Sequence, residues 1–316
     1  MIAVAGWVLL MVAGTATIVL GAELFAEHLA AASAGLGVSS FALALLLAGA
    51  EPEELATVIT ASARGVDGVA FGDVVGANAA VASLALGVGA VVGTLPFGRR
   101  ARRYALGGLA AALVAGALLW DGRVGRLEGV VLVLGYGAFV ASIWLRERAP
   151  PLLGEAAELD GSRPGDSRLG WDLAAVVGGL ALLTAGSMAL VEAARRLASV
   201  ESTQTRLGLV VVGFATAFEL VVLAWSSARR RLTEAVVAAV VGSFAYNVTM
   251  SLGLGAIVAP IEIVDVALLR APYLAMVGLL VVGIALSYRG GDLTRSDGAL
   301  LVAGYPAFVG VALIAG

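Results

Sequence analysis

Glu54 and Glu219 are acids set inside long apolar stretches, and no lysine or arginine lies within ten residues before them or seven after. A carboxylate at hydrocarbon depth costs about 2.5–3.5 kcal/mol on insertion scales. Such a group faces a bundle interior or a water-filled cavity and marks an ion or proton path. Beside Glu54 stand Glu51, Pro52 and Glu53. Pro52 removes a backbone donor and frees the carbonyl of Ala48, while Gly49 adds flexibility. An unwound turn there would place carbonyl oxygens next to carboxylates, the donor set that a hard cation such as Ca²⁺ takes with 6–8 oxygens. The matching turn at 213–219 has no proline. Its opening rests on Gly213 and the hydroxyl of Thr216.

Two further segments supply polar groups to face these acids: Asp73 and Asn78 in 71–78, and Ser243 and Asn247 in 241–247. Gly76 and Gly242 let neighbouring backbones approach closely. Asp73 is expected near a helix start, where an acid at the positive dipole end is unremarkable. Asn78 and Asn247 have a plainer use as interhelical hydrogen-bonding groups. Glu23, Glu27 and His28 read as a solvated interfacial cluster at the end of the first helix rather than an access funnel.

The elements that carry these residues must be membrane helices. The chain is 316 residues long, 60% hydrophobic and 14% charged, with mean hydropathy +0.98. Soluble domains are about 45–50% apolar and about 25% charged, so this much apolar surface must face lipid. There is no cysteine, which excludes disulfides and thiolate chemistry, and the single histidine excludes a multi-histidine metal site. Net charge is −3, and all 20 basic residues are arginine without a patch of the kind nucleic acid requires. The first apolar run lacks a basic leader and continues into Gly21-Ala22-Glu23, so it reads as a span rather than a signal peptide.

Ten segments qualify as spans: 4–32, 38–63, 70–95, 104–120, 127–146, 171–197, 206–228, 234–259, 270–288 and 297–315. The fold class expected is therefore all-α integral membrane. The longest polar break, 147–170, divides it into residues 1–148, a linker at 149–170, and residues 171–316. Loops at 99–103, 146–170, 229–231 and 289–295 carry 13 arginines against 7 in the loops of the other side. The positive-inside rule places the first set in the cytoplasm and both termini outside the plasma membrane.

The halves resemble each other. Residues 47–92 align with 212–258 once the second loop takes one extra residue. Glu54-Leu55 falls on Glu219-Leu220, Ser62-Ala63-Arg64 on Ser227-Ala228-Arg229, Gly76 on Gly242, and LGVGAVV at 86–92 on LGLGAIV at 252–258. Five spans separate the copies, an odd number, so the second enters the membrane from the opposite side. That predicts two inverted five-helix repeats with a site at midplane.

These residues resemble the calcium/cation antiporter superfamily, which includes sodium/calcium and calcium/proton exchangers. Its inverted repeats carry a G-T-S-x-P-E-L type motif followed by G-N-x-x-G-S-N-x-x-(N/D). Here the first motif reads Gly49-Ala50-Glu51-Pro52-Glu53-Glu54-Leu55, and its counterpart keeps Thr216, Glu219 and Leu220. The second motif has Asp73, Gly76 and Asn78, with Ala77 for serine and Val81 at the last ligand position; its counterpart keeps Gly242, Ser243 and Asn247. The resemblance implies ten helices, a site between helices 2, 3, 7 and 8, and alternating access by a gating pair, helices 1 and 6. It also implies that Glu54 and Glu219 are the metal ligands. Gained Glu51 and lost hydroxyls would shift the counter-ion from Na⁺ toward H⁺, because crowded carboxylates repel one another.

The expected function is a cation antiporter, not an enzyme, exchanging Ca²⁺ or a similar cation for Na⁺ or H⁺. Its cation-binding set would be Glu54, Glu219, Asn78, Ser243, Asn247, Glu51, Thr216 and Asp73, with Gly49, Pro52 and Gly213 breaking the helices. No cofactor is implied; the ions are substrates, and the partners are the lipid bilayer and inorganic cations. The oligomeric state is open and compatible with a monomer. Two other readings are a degenerate member that binds ions without exchange and an intramembrane hydrolase. For the hydrolase no nucleophile–base motif is present.

Overall fold

The computed structural model describes residues 2–35, 51–147, 169–231 and 233–315. The expected break at Gly49, the first part of the second span (38–50) and most of the linker lie outside the described residues. Ten helices are described: α1 (Ile2–Gly35), α2 (Pro52–Ala63), α3 (Asp67–Val92), α4 (Arg99–Leu118), α5 (Arg126–Glu147), α6 (Leu169–Leu197), α7 (Glu201–Arg229), α8 (Thr233–Tyr246, continuing to Val258), α9 (Val266–Gly290) and α10 (Arg295–Ile314). Eight of these are long and apolar enough to cross a membrane. The other two are the 12 described residues of α2 and α4, which opens on four arginines. The protein is a multi-pass membrane protein.

Lipid cannot satisfy a backbone group, so helices dominate. Pro272 and Pro306 sit inside α9 and α10, as membrane helices tolerate. Two helix starts carry polar side-chain caps. Asp265 accepts the amides of Ala267 and Leu268, and Thr294 with Asp297 forms a capping box on α10.

The all-helical expectation needs one amendment. Loops at the ends of the bundle are joined by two antiparallel sheets of two residues per strand. β1 (Leu95–Pro96) pairs with β4 (Asp292–Leu293), and β2 (Arg123–Val124) pairs with β3 (Ile261–Glu262). Each sheet therefore joins a loop of the first half to a loop of the second.

Burial separates a centre from a periphery. The membrane-length windows of α3 and α8 are 83% and 89% buried, whereas those of α5 and α10 are 28% and 22% buried. α1 and α6 run side by side at the edge. Their backbones touch where Gly14 meets Gly186 and Gly21 meets Gly179; a Cβ on any of the four would come within 2.7–2.9 Å of the partner's backbone. Those pairs are themselves matched, since Gly14 to Gly179 and Gly21 to Gly186 are both 165 positions apart.

Candidate cation-binding site

The site is assembled from the N-terminal end of α2 and the middles of α3, α7 and α8. Pro52 is the first residue of α2, and Glu51 before it has φ −116° and ψ 83°. That conformation lies outside the α region, which a residue preceding proline avoids; whether Pro52 breaks a longer helix turns on residues outside the described ones. Glu53 and Glu54 then occupy the first helical turn, where the helix dipole favours negative charge. Glu51, Glu53 and Glu54 are all buried, and one carboxylate oxygen from each lies within 4.8 Å of the others. Neither oxygen of Glu54 has a hydrogen-bond partner, though the residue is 0% exposed. Glu54 is within Coulombic range of Glu53, Asp73 and Glu219.

Asp73 is not at a helix start. α3 begins at Asp67, and Asp73 lies nearly two turns in, fully buried. Its Oδ1 accepts the hydroxyl of Thr216 on α7 at 2.8 Å, and its Oδ2 has no partner. Thr216 also leans back on the carbonyls of Val212 and Gly213, at 3.2 and 3.3 Å.

Gly213 has a different role from the one its sequence position suggested. It is helical, with φ −63° and ψ −30°, and closes a wide π-turn over Gly208–Val212. A Cβ there would sit 2.5 Å from the amide nitrogen of Ala77, and one on Gly76 would overlap the carbonyl oxygen of Leu209. Gly213, with Gly208, Gly72 and Gly76, is thus a contact surface that brings α7 against α3. The local opening comes from the π-turn beside it, a feature frequent at functional sites.

The amide-bearing residues form a second cluster. Asn78 donates to the carbonyl of Phe244 at 3.2 Å, Asn247 donates to Oδ1 of Asn78 at 3.3 Å, and Ser251 donates to Oδ1 of Asn247 at 3.3 Å. All three are buried. Ser243, one turn before Asn247 on α8, is fully buried with its hydroxyl unpartnered. α3 and α8 both widen here, into π-turns at Val81–Ala85 and Asn247–Ser251. The two turns are 166 positions apart, the same offset that aligns Gly76 with Gly242.

A cavity of about 360 Å³ lies between α1, α2 and α7, lined by Glu23, Glu51, Glu53, Glu219, Phe218 and Ser226 among others. Glu23 borders this cavity and is exposed, in keeping with its reading as a solvated residue. His28 has a specific partner, with Nδ1 2.8 Å from Oδ1 of Asp172 on α6.

Three residues at the site were absent from the expected ligand set. Glu53 stands where the motif has proline, and its neighbours were chosen instead. Tyr136 on α5 and Tyr246 on α8 pack edge to face at 5.3 Å, both within Coulombic range of Glu51. An isolated tyrosine in an apolar run carries no signal of this kind.

Solved structures of the sodium-calcium exchanger NCX_Mj resemble the chain throughout. With 100 mM Na⁺ and 10 mM Sr²⁺ the TM-score is 0.61 at 19% identity, covering 97% of this chain and 98% of that one. With 10 mM Na⁺ and 10 mM Sr²⁺ it is 0.62 at 20% identity, covering 98% of each. At that identity the likeness speaks for the fold. Among curated proteins, none matches by sequence. The sodium/calcium exchanger protein family matches residues 6–145 and 171–314, nearly the whole sequence. The chain belongs to that family, which comprises transporters rather than enzymes.

Proposed function

We propose that the protein is a secondary active cation antiporter that exchanges Ca²⁺, or a similar hard cation, for Na⁺ or H⁺ at the Glu54 centre. The observation that carries this is the pair of unpartnered, fully buried Glu54 oxygens within Coulombic range of three other acids. A buried carboxylate with no partner is costly, and a bound cation removes that cost. Glu54 and Glu219 act as the metal ligands, with Asp73, Glu51 and Thr216 beside them. Asn78, Ser243 and Asn247 supply neutral oxygens from α3 and α8.

Coupling follows from charge. The empty, ionised site resists reorientation, so the protein changes its exposed side only when cations occupy it, and two ions competing for one ligand set must alternate. The peripheral pair α1 and α6 is the part placed to move across the centre. Residues 1–148 and 171–316 are read as two inverted five-helix repeats joined by a linker at 149–170. Three relationships support this: the equivalent π-turns, the reciprocal Gly14–Gly186 and Gly21–Gly179 contacts, and the two sheets. In those sheets the α3–α4 loop meets the α9–α10 loop, and the α8–α9 loop meets the α4–α5 loop. The arginine bias puts both termini outside the plasma membrane.

The test is ⁴⁵Ca²⁺ uptake into proteoliposomes, driven separately by a Na⁺ gradient and by a pH gradient. Uptake under one gradient only, abolished by Glu54→Gln, names the counter-ion. A chain that binds Ca²⁺ but moves none under either gradient is a binding protein, and the antiporter reading fails.

A further inference from the structure

α1 and α6 meet along one seam with a seven-residue step. On α1 the positions are Gly14, Gly21 and His28; on α6 they are Gly186, Gly179 and Asp172. The helices run antiparallel, so Gly14 meets Gly186, Gly21 meets Gly179, and the next pair along is His28 with Asp172. A seven-residue step keeps one stripe of a helix turned to its partner over several turns. The first two contacts of this seam are backbone against backbone. The third is an ion pair, with Nδ1 of His28 2.8 Å from Oδ1 of Asp172.

Asp172 lies in the first turn of α6, where the helix dipole favours its negative charge. Its side chain is 8% exposed and its Oδ2 has no hydrogen-bond partner, so among the described residues His28 is the group that compensates it. The imidazole is 18% exposed, and the ring of Trp171 stands edge-on to it at 6.3 Å. Water thus reaches the base, while the acid stays largely dry. No other basic residue occurs on α1, and Asp172 is the only charged residue in 169–191. The remaining charges of α1 are Glu23 and Glu27, both exposed. The neighbouring helices add more acid, with Glu51, Glu53 and Glu54 on α2 and Glu219 on α7. Arg229, at the end of α7, lies over the ring of Trp225, and Arg64 of α2 pairs with Glu192 at the opposite end of α6. With a neutral imidazole, α1 and α6 therefore carry only negative charge at this end. A proton on His28 reverses that and makes the contact a charge-assisted hydrogen bond.

We propose that His28 and Asp172 form a proton-operated latch between α1 and α6. The proton comes from water on the side where the 149–170 break enters α6, and it adds to whichever ring nitrogen the neutral form leaves bare. Its arrival closes the last step of the seam; its departure leaves the glycine contacts to hold the two helices. Histidine ordinarily exchanges its proton between about pH 5 and 8. The latch is closed in acid and its stabilisation fades as pH rises. It shares no residue with the Glu54 centre, so it exists whether or not that centre takes a cation. Its consequence for transport rests on the proposed function: pH would act through the α1–α6 pair, apart from any H⁺ that serves as counter-ion.

The test is a double-mutant cycle of unfolding midpoints in detergent, at about pH 5.5 and about pH 8.5, on either side of the histidine range. His28→Asn keeps an amide near the place of Nδ1 but takes up no proton, and Asp172→Asn keeps the shape without the charge. Wild-type elution on size exclusion shows that each variant is folded. The cycle cancels every other titration. A coupling of about 1–3 °C is expected in acid, falling to less than half of that in base. Additive midpoints in acid, or a coupling of equal size at both pH values, overturn the latch. Exchange of ⁴⁵Ca²⁺ into Ca²⁺-loaded proteoliposomes, with the same pH on both sides, then reads its action on transport. Wild type should exceed His28→Asn by about twofold to fivefold in acid, the size of a partly exposed ion pair, and match it in base. A ratio that is the same at both pH values overturns that action. If wild type exchanges no Ca²⁺ the antiporter reading fails, and the cycle still decides the latch.

Discussion

Thr216 on α7 donates its hydroxyl to Oδ1 of Asp73 on α3 at 2.8 Å, so the two halves of the chain share a buried polar contact beside the acid cluster. Thr216→Val keeps the shape and removes the donor, leaving both oxygens of a fully buried carboxylate unpartnered. A loss of about 1–3 kcal/mol is expected. Asp73→Asn should cost less in the Thr216→Val background than in wild type, with a coupling of about 0.5–3 kcal/mol. A double-mutant cycle by thermal unfolding in detergent reads this. Simple additivity would mean the contact contributes nothing.

Glu54→Gln preserves volume and removes the charge. Uptake of ⁴⁵Ca²⁺ should fall at least about tenfold, equivalent to about 1.4 kcal/mol of lost binding, while the unfolding midpoint holds or rises because a buried charge is gone. A variant with unchanged flux would move the centre elsewhere.

Gly76→Ala should destabilise sharply. Its Cβ would overlap the Leu209 carbonyl, and overpacking costs about 1–3 kcal/mol, occasionally more. Gly137→Ala on α5 is the control, because nothing lies within 4 Å of its Cβ position. Equal unfolding temperatures for the two variants would contradict the close contact of α3 with α7.

Asn247→Leu removes one member of the chain Ser251–Asn247–Asn78–Phe244. It leaves Oδ1 of Asn78 and the Ser251 hydroxyl without their partners. A cost of about 1–3 kcal/mol is expected. By contrast Glu192, paired with Arg64, Arg195 and Arg196 at an exposed end of the bundle, should tolerate Glu192→Gln within about 1 kcal/mol.

The likeness of 47–92 to 212–258 was legible because it keeps an acid, Glu54 and Glu219, and a glycine, Gly76 and Gly242, at matching positions. The 166-position offset read from Gly76 and Gly242 also superimposes the two π-turns, though no residue type announces a π-turn. Gly213 was misread for a physical reason. A glycine beside a functional motif serves equally to open a helix or to admit a neighbouring backbone, and only the position of α3 decides between them. Glu53 was overlooked because the motif assigns its place to proline. His28 found Asp172 across 144 positions, a distance that no local pattern bridges.

The two small sheets constrain how the molecule can work. β1 meets β4 and β2 meets β3, so each short ribbon stitches one half to the other at the rim of the bundle. Pairing of this kind resists the two halves swinging apart like the jaws of a clamp. No ribbon holds α1 or α6 among the described residues, and the two helices meet each other backbone to backbone at their glycines. If α1 and α6 cross the bundle as proposed, they do so past loops that the two ribbons hold together.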